Sequence, residues 1–200
     1  VTTATNFTQL LAAASTEGSV AADSLRVSEA GKHVSFQFDP VTDYDAAHNA
    51  AGELVLLLSG ETAAGASRNI TVSFGSTKVL NPTTPLVNVS TRCDDEGEAC
   101  LLISTHAQAW KYQLLGGAFS SLLGPDGKNW ISYKPSGGSN GSYRGVPNLY
   151  NGKDRAGGPC CLHPGDNNSR TALLRGGGDA PIRVRLESTV ANNTAGHAGD

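Results

Sequence analysis

Long apolar runs, a basic block and metal-spaced histidines are all missing from this 200-residue sequence. The longest aliphatic run, Leu54 to Leu58, is strand-sized, far short of the roughly 20 residues that cross a bilayer as a helix. Fifteen Lys and Arg stand against 18 Asp and Glu, for a net charge of −3. The basic residues are scattered, which argues against a phosphate-tracking surface and so against nucleic acid as a partner. Methionine is absent, and the sequence opens at Val1 with no signal peptide in view, which fits either a processed chain or a fragment of a longer one.

Catalytic signatures are equally sparse. There is no G-x-S-x-G nucleophile elbow and no CxxC pair, and the histidines at 33, 48, 106, 163 and 197 lack ligand spacing. The acids of "DYD" (43–45) and "DDEGE" (94–98) fall in predicted loops, where they are expected to be solvated rather than paired for glycoside hydrolysis. "GGG" at 176–178 lacks the lysine and the strand-turn-helix setting of a phosphate loop. No catalytic residue is assigned from the sequence, and no metal or cofactor is expected.

Sequons and cysteines are what the chain has in excess. N-x-S/T begins at Asn6, Asn69, Asn88, Asn140, Asn167 and Asn192. With 13 Asn in the chain, chance gives roughly two such motifs. Four cysteines, an even number, fit the same extracellular compartment. Cys93 and Cys100 bracket "DDEGEA", a spacing that favours a bridge across a hairpin loop. Cys160 and Cys161 are adjacent; they could pair with each other, with the first two, or with another chain. The predicted protein is secreted and N-glycosylated.

Helical periodicity is weak, and short alternating or β-branched segments are separated by Gly, Pro, Asn and Asp. In His33-Val34-Ser35-Phe36-Gln37-Phe38 the alternation puts Val34, Phe36 and Phe38 on one face and three polar residues on the other. Twenty-four Gly and nine Pro between such runs predict an all-β fold built of sandwiches. We read residues 1–15 as an N-terminal arm or short helix, 16–95 as a first β-sandwich and 96–200 as a second. Within the second, Pro125-Asp126-Gly127 presets a tight turn, since proline fixes φ and glycine supplies a positive φ. The stretch 134–170 is a long Gly-, Asn- and Ser-rich loop, the kind that is often functional.

At 101–149 the motifs become individual: "LLISTHAQAWKYQLLGGAFSSLLGPDGKNWISYKP", then "YRGVPNL", with "LHPG" at 162–165. With "GELVLLLSGETAAGASRNITVSFG" (52–75) and "PIRVRLEST", these resemble an uncharacterised family of secreted fungal and bacterial two-sandwich proteins. Its second domain is similar to the galactose-mutarotase-like sandwich of polysaccharide lyases and hydrolases. That resemblance implies carbohydrate contact without specifying an activity. It also implies further strands beyond Asp200, so the second sandwich is expected to be incomplete here and finished by another chain or copy.

A sugar site needs a flat apolar surface for a ring face and fixed polar groups for hydroxyls. Trp130, Tyr133 and Tyr143 could supply the first, and Arg144, Asn148 and His163 the second. Arginine's planar fork also suits a uronic acid carboxylate. Weighed alone, Trp130 on a strand is more often core than platform, and His163 before proline is more often a turn residue. Two functions follow. One is binding or processing of a polysaccharide or glycan. The other is a structural subunit of an extracellular fibre or wall layer, built by strand addition between neighbouring copies.

Overall fold

The computed structural model describes residues 1–75, 78–79, 84–95, 97–131, 149–150, 161–162, 169–176 and 180–189. The architecture is all-β, with antiparallel sheets and one short α-helix among the described residues. It divides into two compact units, Val1–Pro85 with Gly178–Arg183, and Leu86–Gly177 with Val184–Asp200.

The first unit is a small sandwich. Its elements run β1 (Thr2–Asn6), α1 (Phe7–Ala13), a 3-10 turn (Ala22–Ser24), β2 (Arg26–Glu29), β3 (Lys32–His33), β4 (Ser35–Pro40), β5 (Ala51–Leu57) and β6 (Ile70–Ser73). One sheet has the order β1-β5-β4 and the other β3-β2-β6. Side chains opposite one another in an antiparallel pair share a face. Phe36 thus meets Leu56 and Phe38 meets Leu54 in the first sheet, while Val27 meets Val72 in the second. All belong to or pack against one core, with Val34 included, as the alternation predicts.

The stretch read as an arm folds onto its own chain. β1 pairs antiparallel with β5 along its whole length. Helix α1 follows at once, its first turn capped by Asn6, whose Oδ1 accepts from Gln9 N at 3.0 Å. Two turns of helix are not stable alone. Phe7 anchors them, 3% exposed and packed at a tilt between Phe38 and Phe74, with ring centroids 5.7 and 5.5 Å away.

Gln37 and Asp39 lie on the other face of β4, yet both are buried. Residues 182–183 return to the first unit and cover them. Gln37 Oε1 accepts from Ile182 N and Arg183 N, and its Nε2 donates to Arg183 O and Asp39 Oδ1. Arg183 Nη2 bridges Asp39 and Glu53, two carboxylates that sit opposite each other across β4 and β5.

The second unit contains β7 (Asn88–Asp95), β8 (Glu98–Ser104), β9 (Ala109–Gln113), β10 (Ala118–Leu123), β11 (Leu149–Tyr150), β12 (Cys161–Leu162), β13 (Arg170–Arg175) and β14 (Arg185–Thr189). β7 therefore lies here, whereas the sequence reading ends the first domain at 95. The main sheet runs β10-β9-β8-β7, and β13-β14 and β11-β12 are two-stranded ladders. Leu101, Ile103 and Tyr112 form the core of the sheet, with Leu173 and Leu186 of the β13-β14 hairpin packed on it. The Tyr112 hydroxyl ties the layers by bonding Ser188 Oγ and Gly117 O, each at 2.7 Å. Among the described residues, β7 and β10 have no further strand on their outer edges.

Cys93 and Cys100 are register partners on β7 and β8 and are joined by a disulfide. The acidic loop they bracket departs from the expectation of solvated acids. Asp95 is 6% exposed, held by Lys111 Nζ at 2.9 Å and by Gln113 Nε2 at 3.3 Å. Burial pushes its pKa up, but hydrogen bonds from Ser120, Lys111 and Gln113 outweigh that and hold the carboxyl below its ordinary value.

Candidate carbohydrate-contact site at the Trp130 turn

β10 ends in the turn that Pro125-Asp126-Gly127 predicts. Gly127 adopts φ +74°, the left-handed region that glycine enters without penalty. Gly127 N donates to Gly124 O and Gly124 N to Lys128 O, each at 3.0 Å. Asp126 Oδ1 accepts from Lys128 N at 3.0 Å.

Asn129 then fixes the return. Its Oδ1 accepts from both Leu122 N and Ile131 N at 3.0 Å, and its Nδ2 donates to Ser121 Oγ at 3.2 Å. Trp130 N donates to Leu122 O at 2.9 Å. The backbone under the indole is thereby held from both sides.

The indole itself stands in solvent. Trp130 is 65% exposed, so it is not the core residue that a strand tryptophan usually is. Lys128 Nζ lies 4.6 Å from the ring centroid, a cation–π contact worth about 0.5–1 kcal/mol at an exposed position. Gly124 makes room for the ring, since a Cβ there would lie 3.0 Å from Trp130 Nε1. An apolar face, an ammonium and the Asp126 carboxylate are thus gathered on one hairpin end.

No family model, curated protein or solved structure matches the chain.

Of the sugar-contact residues read from the sequence, Trp130 alone has a described side chain. Tyr133, Tyr143, Arg144, Asn148 and His163 lie outside the described residues, as do Cys160, Asn140, Asn167 and Asn192, and Cys161 contributes only backbone in β12. Sequence reasoning missed Lys128, Asn129 and Asp126. A signal was present for Lys128: residues i and i+2 of extended backbone share a face, so K-N-W places a cation beside the indole. Among the described residues no group of His, Cys, Asp and Glu could hold a metal ion, and no helix is long and apolar enough to cross a membrane.

Three sequon asparagines are described. Asn69 and Asn88 are exposed, while Asn6 is half-buried at the helix cap. The disulfide fits an extracellular protein.

Proposed function

We propose that this is a secreted, N-glycosylated carbohydrate-binding β-sandwich protein that meets its ligand at the Trp130 turn. The observation that carries the reading is a tryptophan left 65% exposed while its backbone is fixed by Asn129 and Leu122. A large flat ring held in water on a fixed backbone offers a face on which a sugar ring can stack. The Lys128 ammonium beside it suits a carboxylated sugar, so acidic polysaccharides are the favoured ligand class. The exposed sequons at Asn69 and Asn88 and the Cys93–Cys100 bridge support the secreted setting.

Affinity electrophoresis through gels containing neutral or uronic acid polysaccharides tests it. The Trp130→Ala variant should bind at least tenfold more weakly, about 1.4 kcal/mol. Lys128→Ala should weaken only the acidic polymers. Wild-type mobility unaffected by every polymer, or unchanged retardation of Trp130→Ala, would overturn the proposal.

A further inference from the structure

Residues 1–13 form a segment that rests on the first unit through β1 and through Phe7 and Leu11 of α1. Among the described residues, β1 is an edge strand whose one ladder partner is β5. Beyond that ladder, the segment is seated by Phe7 in its aromatic slot and by Ala50, whose O accepts from Phe7 N and whose N donates to Thr8 Oγ1, each at 2.9 Å.

The seam between segment and body is not filled. A groove of about 420 Å³ runs along it, lined by Thr3, Thr5 and Leu10 of the segment and by Leu56, Ile70 and Val72 of the body. β1 presents threonines where the opposing wall is aliphatic, and Leu10 remains 58% exposed. Incomplete packing forfeits dispersion contacts on both walls and loosens the segment's hold.

The connection to the body is built to open. Residues 12–19 are all exposed, and the chain is anchored again only at Val20, which is 0% exposed. Ser15, with φ +51°, closes the helix: Ser15 N donates to Ala12 O at 3.0 Å and Thr16 N to Leu11 O at 2.9 Å, so the cap belongs to the segment and travels with it. The three exposed residues after the cap, 17–19, span about 10 Å when extended.

We infer that residues 1–13 exchange between copies of this chain, the segment of one molecule taking the β5 seat of another. The segment makes the same bonds in either seat, so the balance falls to the connection and to chain concentration. High chain concentration favours the exchanged form, and the underfilled seat lets the segment leave. The occupant is a second copy because the seat already fits this segment in register. Exchange of this kind does not require a carbohydrate ligand.

Disulfide trapping on the full chain tests it. Val1 and Leu56 exchange both backbone hydrogen bonds, so the next pair, Thr2 and Val55, is the closer-spaced kind that a disulfide can span. The chain carrying both Thr2→Cys and Val55→Cys should cross-link when oxidised. A mixture of the two single variants, incubated at high concentration before oxidation, should yield a covalent dimer joined through positions 2 and 55. Peptide mapping separates that link from any made by Cys160 or Cys161. Cross-linking within the double variant, with no 2–55 link in the mixture, would overturn exchange. So would failure of the double variant to cross-link at all, because the seat would then not exist.

Discussion

Gln37 grips the backbone of Arg183 from both sides, its Oε1 accepting from Arg183 N at 2.9 Å and its Nε2 donating to Arg183 O at 3.0 Å. A buried amide here acts as a short piece of strand, pairing a segment 146 residues distant in sequence. Gln37→Leu keeps roughly the same volume and strands the amide protons of Ile182 and Arg183. At roughly 1–3 kcal/mol per unpaired buried group, the expected loss is about 3 kcal/mol. Urea unfolding of the first unit should show a lower midpoint at unchanged slope. An unchanged midpoint would show that these bonds do not hold the segment.

Gly52 is required by the space around it. A Cβ there would meet Asp39 O and Phe38 Cζ, both at 2.6 Å, and the first of these is backbone that cannot swing aside. Gly52→Ala should cost about 2 kcal/mol, read as a lower thermal midpoint. Wild-type stability in the variant would mean that β4 and β5 are not paired as described.

Asp95 makes stability depend on pH in a definite direction. Its carboxyl is held below its ordinary value, so the contribution is fully present above the unfolded value near 3.9 and is lost as pH falls through the lowered native one. Asp95→Asn should be less stable at neutral pH and should show a flatter acid limb below about pH 4. Parallel acid limbs in wild type and variant would contradict the Lys111 and Gln113 hydrogen bonds.

Asn69 and Asn88 face solvent and should carry glycans when the chain passes through a secretory pathway. Asn69→Gln and Asn88→Gln should each reduce the intact mass by one glycan. An unchanged mass in either variant would show that site to be unused.

The fold was legible where the residues state their own environment. Val34, Phe36 and Phe38 alternate with polar neighbours and occupy the core, and the seven-residue separation of Cys93 and Cys100 fits a hairpin bridge. Gln37 and Asp39 were not legible, since what buries them is a segment far along the chain. Asp95 misled for a related reason: its acidic neighbours suggest solvent, but Lys111 and Gln113 of β9 reach across to it. At the site, the turn was written in Pro125-Asp126-Gly127, whereas the exposure of Trp130 depends on Asn129 steering the backbone after it. "TTATN" carries no aliphatic stripe, and its place on β5 comes from backbone pairing and the Phe7 anchor that follows.

Ligand contact at Trp130 is read without intermediaries in the Trp110→Phe variant, in which Trp130 is the sole remaining indole. Its fluorescence should be strongly quenched by acrylamide in the free protein, given its exposure. Saturation with a uronic acid polysaccharide should shift the emission to shorter wavelength and reduce the quenching at least about twofold, as expected for an indole covered by a bound ring. Quenching that stays constant through the titration would contradict a ligand contact at Trp130.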